Sequence, residues 1–262
     1  MITRTEIHTL DEHELMADSG SALRLNAERI ELEPDKHSRL VFVTDPHGLA
    51  VERYKLLRGR LFAMSPQGGL ILVTSPSPGD GKTLTSTNLA WCIAEAGRRT
   101  CLVDLDFRAP GFGRSLGYEV PADDNGVAEV LSGSSSFLQA IRQVGDRDLY
   151  VLGIKESLKS PSRLLAADVL RPLLTKLRDT FEWTILDMPP AIPMSDVAEV
   201  LPHVDGALMV VRSGKTIKSL IAPTFEILGA KVWGVVLNDS LINGSAYYGY
   251  YGYGEDRKRK KA

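Results

Sequence analysis

Residues 70–83, LILVTSPSPGDGKT, decide the fold. LILVTS (70–75) is a continuous apolar run ending in hydroxyls, the pattern of a strand covered on both faces. Pro76, Pro78, Gly79 and Gly81 then break the run, and a helical stretch over 82–97 follows, with Gly97 where a C-terminal cap is expected. Strand, glycine-rich loop and helix together are the setting in which Gly-Lys-Thr cradles phosphate. The loop residues Pro78, Gly79, Asp80 and Gly81, with Lys82, Thr83 and Leu84 opening the helix, form the cradle. Its glycines let successive N–H groups turn toward phosphate oxygens, and the helix adds its positive dipole end. Lys82 supplies a flexible cation for the β- and γ-phosphates, and the Thr83 hydroxyl a ligand for Mg²⁺. Pro76 stands where the usual pattern has its first glycine.

The same alternation continues outward. Strands are expected at TCLVDLD (100–106), LYVLG (149–153), WTILDM (183–188), ALMVVR (207–212) and VWGVVLN (232–238). Helices are expected near 161–180, 195–203 and 216–229. This alternation predicts an α/β fold: a doubly wound, mostly parallel sheet of the P-loop NTPase type. Two strands end in carboxylates. Asp104 and Asp106 stand two apart on one strand and should face the same crevice, an arrangement that calls for a cation beside them. Asp187 closes the apolar run of WTILDMPP, where Pro189 and Pro190 stop the strand, and is placed to hold Mg²⁺ next to the P-loop. The joint order of the three elements predicts an ATP–Mg²⁺ site at the carboxyl edge of the sheet.

The two ends of the chain read differently. Residues 1–38 are polar and weakly periodic and are expected to form a loosely attached arm. A helix over 49–64 follows, its apolar stripe drawn from Leu49, Tyr54, Leu57, Leu61 and Phe62. The domain proper is expected over 39–246, followed by YYGYYGYGEDRKRKKA (247–262), a flexible tail without strand or helix period. Five of the chain's eight tyrosines lie there: Tyr247, Tyr248, Tyr250, Tyr251 and Tyr253.

Composition narrows the function classes. Lys+Arg is 31 and Asp+Glu 33, a net charge of −2 that argues against a nucleic-acid partner. No apolar run approaches the roughly 18 residues of a membrane span, and the N-terminus lacks the pattern of a secretory signal, so a cytosolic protein is expected. Cys92 and Cys101 sit in apolar segments and read as buried free thiols. The five histidines have no metal-ligand spacing.

These motifs resemble those of the bacterial tyrosine kinases of capsule and exopolysaccharide synthesis, over about residues 40–262. TSPSPGDGKT matches the family's Walker A motif, LVDLDFRAP its Walker A′ and ILDMPP its Walker B, with Met188 where the family has Thr or Ser. The tyrosine cluster is the trait most diagnostic of the family. The resemblance implies an autokinase in which Lys82 binds phosphate, and Thr83, Asp104 and Asp187 form the metal site. Asp104 and Asp106 would handle Mg²⁺ and the phenol proton, Asn238 would contact adenine, and the tail tyrosines would accept the phosphoryl group. It also implies a homo-oligomeric ring closed through a helix whose motif reads Glu52, Lys55, Arg58 here, with Lys55 in place of arginine. A membrane co-polymerase that governs polysaccharide chain length would supply an activating cytosolic segment and hold the kinase at the inner face of the membrane. Two alternatives share the fold. Regulatory ATPases of the partition and septum-site type carry a signature lysine where Ser77 stands here. An interaction protein that binds ATP without transfer would keep all the same residues.

Overall fold

The computed structural model describes residues 25–32, 39–118, 120–121 and 124–240. Most of the expected arm and the whole tail, Tyr247, Tyr248, Tyr250, Tyr251 and Tyr253 included, lie outside the described residues. The strands are β1 (Glu28–Ile30), β2 (Gly69–Thr74), β3 (Thr100–Asp104), β4 (Arg142–Val144), β5 (Leu149–Leu152), β6 (Trp183–Asp187), β7 (Gly206–Arg212) and β8 (Val232–Asn238). They form one sheet in the order β1-β4-β5-β3-β6-β2-β7-β8, parallel at every pairing except β4 with β5.

The P-loop strand β2 lies inside this sheet, between β6 and β7. Its side chains alternate between two cores. Leu70 and Leu72 enter one core with Leu170, Leu173 and Leu174 of α7 (Ala167–Thr180). Ile71 and Val73 enter the other, with Leu89 and Ile93 of α3 (Lys82–Glu95) and Val51 and Leu61 of α2 (Leu49–Met64). Burial on both faces is why these strands read as unbroken apolar runs. Truncating Ile71, which is fully buried, would cost about 2–5 kcal/mol. Cys92 and Cys101 are free and buried, as expected.

The register positions the chemistry. Asp187 pairs with Val73 of β2 on one side and with Asp104 of β3 on the other, so both carboxylates stand at one edge of the sheet. The Thr74 hydroxyl donates to the Pro189 carbonyl at 2.7 Å and ties the end of β2 to the loop after β6.

The structure differs from the sequence reading in several segments. Glu28–Ile30, within the expected arm, is a strand paired with β4, and Leu25 is buried in the core. Three residues are too few to show a period, so only their tertiary partner reveals them. α1 (Val41–Thr44), α4 (Phe112–Leu116), α5 (Val127–Ser132), α6 (Phe137–Ala140) and β4 are also short, at three to six residues. α7 begins at Ala167, after a 3₁₀ turn over Pro161–Arg163. The expected 195–203 helix is α8 (Asp196–Val200) followed by a 3₁₀ turn, and the last helix, α9 (Ile221–Leu228), follows another.

Candidate active site

The P-loop folds around one inward-facing carboxylate. Asp80 is buried; its Oδ2 accepts the Ser77 N–H at 2.9 Å and its Oδ1 accepts the Thr216 hydroxyl at 2.7 Å. Asn238, at the end of β8, donates its amide to the Asp80 carbonyl at 2.9 Å. Gly81 lies at φ +98°, and a Cβ there would sit 2.0 Å from the Asn238 amide nitrogen. Only glycine satisfies both the left-handed backbone and that contact.

The cleft beside this loop has a volume of about 700 Å³. Pro78, Gly79, Gly81, Lys82, Thr83 and Leu84 line it, with Asn238 at its rim. It lies outside the carboxyl ends of the strands, at the N-terminus of α3, and is large enough for a nucleotide. The Asp80 side chain is absent from the lining because it braces the loop from within.

Lys82 is not a free cation. Its Nζ lies 2.6 Å from Asp106 Oδ2, and the side chains are only 11% and 3% exposed. Burial alone would lower the lysine's pKa, but Asp187, Asp106 and Asp104 outweigh it and raise the value. The lysine therefore stays charged among three carboxylates.

Asp104 and Asp106 both act on Lys82, but not as successive same-side residues of one strand. β3 ends at Asp104, and the chain turns after it, so the two-residue strand repeat does not hold between them. Asp106 lines the cleft, whereas Asp104 lines a smaller adjacent cavity of about 230 Å³. The Asp104 oxygens accept the Asp106 N–H at 2.9 Å and the Gly111 N–H at 3.2 Å. Burial, reinforced by the charge of Asp187, pushes the Asp104 carboxyl well above the usual range despite those bonds and Lys82.

Asp187 is fully buried, and its Oδ1 accepts the Ser86 hydroxyl at 3.1 Å. Its Oδ2 accepts no hydrogen bond, although the Thr83 hydroxyl lies near enough to restrain its pKa. Burial raises that pKa, and Lys82 lowers it only in part. An orphaned anionic oxygen beside Thr83 fits a hydrated divalent cation. Among the described residues no three acidic, His or Cys side chains converge to hold a metal unaided. Magnesium, which takes one or two carboxylates plus phosphate oxygens and water, suits such a site.

Several residues in or behind the cleft wall were given no role by the sequence reading. Ser86 stands one turn after Lys82, a spacing that places both on one helix face. Arg108, two residues after Asp106, lines the cleft and pairs with the buried Asp196 at 3.2 Å. Arg39 and Arg212 also line the cleft, and neither has a local signal. The ring motif separates too. Arg58 turns inward and donates to the Cys92 carbonyl at 2.8 Å, while Lys55 pairs with Glu52 on the exposed face of α2 at 2.9 Å.

Sheet order, P-loop and strand-end carboxylates define a P-loop nucleotide-binding domain, and the AAA domain family matches residues 69–213. The chain is 31% identical over 219 residues to tyrosine-protein kinase YwqD of Bacillus subtilis, covering 81% of this chain and 91% of that protein. It is 32% identical over 220 residues to tyrosine-protein kinase etk of Escherichia coli K12, covering 82% of this chain but 30% of that protein. A 28% match to the succinoglycan biosynthesis transport protein ExoP of Rhizobium meliloti likewise covers 30% of its length. The solved kinase domain of E. coli ETK superposes with a TM-score of 0.70 at 28% identity, covering 79% of this chain and 82% of that one. The cell division ATPase MinD of Pyrococcus furiosus, at 0.53 and 23%, shares the fold. This chain belongs to the bacterial tyrosine-kinase family. Among the described residues no helix is long and apolar enough to cross a membrane.

Proposed function

We propose that the protein is an ATP-dependent tyrosine autokinase whose acceptors are Tyr247, Tyr248, Tyr250, Tyr251 and Tyr253. The observation that carries this reading is the meeting of Lys82, Asp106, Asp104 and Asp187 beneath the P-loop, with one Asp187 oxygen left unpartnered. The near full-length match to a protein named a tyrosine kinase supports it over a partition-type ATPase, as does Ser77 at the signature-lysine position.

Thr83, Asp104 and Asp187 would hold Mg²⁺, which neutralises charge on the phosphates when bound. Lys82 serves the same end from the helix, leaving Asp106 for the γ-phosphate. The freed Asp106 carboxylate then accepts the proton of the attacking phenol, whose pKa of about 10 keeps it protonated at neutral pH. The tyrosine oxygen bonds to the γ-phosphorus as its bond to the β–γ bridging oxygen breaks, and ADP leaves. Asn238 at the cleft rim would orient the adenine.

In the cell, this reading makes the chain a cytoplasmic kinase attached to the membrane through a polysaccharide co-polymerase. It assembles with copies of itself through the Glu52–Lys55 face of α2. The deciding experiment incubates purified protein with ATP and Mg²⁺, with and without a candidate activating segment, and maps phosphotyrosine by mass spectrometry. Modified tail tyrosines are expected. ATP hydrolysis with no phosphotyrosine under either condition would replace the reading with a regulatory ATPase.

A further inference from the structure

The cleft rim carries a connection that neither the P-loop motif nor the carboxylates explain. Arg212, the last residue of β7, donates its Nη1 to the Gly79 carbonyl of the P-loop at 3.3 Å. Its Nε donates to Asp239 Oδ2 at 3.0 Å. Asp239 lies at φ +55°, the sole non-glycine residue with positive φ among the described residues. Aspartate tolerates that conformation better than most residues, and the chain leaves the β7–β8 ladder there. The turn is held on both sides: the Ser213 N–H donates to the Asn238 carbonyl at 2.9 Å, and Arg53 of α2 reaches the Ser240 hydroxyl at 3.4 Å. Six residues, 241–246, separate Ser240 from Tyr247, the first of the tail tyrosines.

One guanidinium thus touches the phosphate-binding loop and the turn from which the C-terminal segment departs. We propose that Arg212 is a positioning residue of the nucleotide cleft, holding the Gly79 carbonyl and the Asp239 turn together so that the conformations of loop and turn are set jointly. Lysine lacks the fork needed to hold two partners in fixed directions. The Arg212 and Asp239 side chains are 33% and 54% exposed, so the coupling is modest, and several-fold effects are expected. By linkage, the factor by which bound nucleotide favours the ordered turn is the factor by which the ordered turn favours nucleotide binding.

The proposal rests on the cleft being a nucleotide site, but its test does not depend on kinase activity. Hydrogen exchange would be followed in the full chain, nucleotide-free and with ATP and Mg²⁺, for the parent, Arg212→Lys, Arg212→Ala and Asp239→Asn. Asparagine keeps the preference for positive φ and removes only the charge. Asp239→Asn should speed exchange two- to threefold at the amides of residues 79–81, which Asp239 does not touch, as well as at 238–240. Arg212→Ala should do so more strongly and weaken ATP binding five- to tenfold, with Arg212→Lys in between. Faster exchange confined to 238–240 in Asp239→Asn, with 79–81 unchanged, would overturn the coupling. If the parent binds no ATP, the proposed function fails, and the nucleotide-free exchange at 79–81 still decides this inference.

Discussion

Two ion pairs of nearly equal length stand at opposite ends of the sheet and do opposite work. At the carboxyl end Lys82 meets Asp106 at 2.6 Å, nearly sealed from water. At the amino end Arg178 meets Asp205 at 2.7 Å, with side chains 40% and 36% exposed. Asp205 also accepts the Leu70 N–H at 2.7 Å. Burial would raise its pKa, but the Arg178 and Leu70 bonds outweigh that and lower it. At the carboxyl end burial wins, and Asp104 and Asp187 are raised. The amino end is therefore electrostatically satisfied, whereas the carboxyl end sets three carboxyl groups against one lysine and leaves one Asp187 oxygen without a hydrogen bond. A surplus of that kind destabilises the empty protein and attracts cations, as expected of a site organised for a ligand.

The largest effect should come from Lys82→Met. Tail phosphorylation is expected to fall at least about 100-fold through loss of charge stabilisation. Stability should also drop by about 3–5 kcal/mol, because buried carboxylates lose their counter-charge. Adding Asp106→Asn should restore most of the melting temperature and none of the phosphotyrosine. A Lys82→Met protein that melts like the parent would break the contrast between the two ends.

Asp187→Asn should lower transfer by about 100-fold, by weakening the proposed metal site, yet stabilise the nucleotide-free protein at neutral pH. The sign follows from a folded pKa raised above 3.8. Below 3.8 the carboxyl is protonated in both states and contributes no penalty. As pH rises from there through the folded pKa, only the unfolded chain ionises freely, so the folded parent loses stability. The advantage of the variant should therefore open with rising pH in thermal melts and close as pH falls toward 3.8.

Asp205→Ala should behave in the opposite way. It orphans the Leu70 N–H and removes a carboxylate whose pKa is lowered on folding, costing about 1 kcal/mol after allowance for its partial exposure. That contribution is present above 3.8 and disappears as pH falls through the lower folded value. Phosphotyrosine yield should be unchanged. The smallest effect belongs to Lys55→Ala, whose exposed pair with Glu52 should leave the melting temperature unmoved. Sedimentation velocity on that variant then tests assembly without a folding artefact.

Much of the fold was legible because double burial writes itself into composition. β2, β3, β5, β6, β7 and β8 and the helices α2 and α3 fall close to their expected bounds. The placement of Lys82, Thr83, Asp104 and Asp187 at one edge of the sheet was legible because strand ends and glycine loops mark that edge. The misses share one physical cause, dependence on distant residues. β1 and β4 are three residues long and exist by virtue of their neighbours. The turn after Asp104 separates it from Asp106, which no strand period reveals.

By itself, the sequence determined the layered α/β architecture, the glycine-rich loop between β2 and α3 and the set of charged residues at its edge, since propensity, patterning and turn chemistry are local. Tertiary structure alone decided that Lys82 rests on Asp106, that one Asp187 oxygen stays unpartnered and that Arg58 turns inward. It also decided that Gly81 must yield space to Asn238, 157 positions further along the chain. These outcomes depend on which distant groups share a low-dielectric space, and that is set by strand order and register.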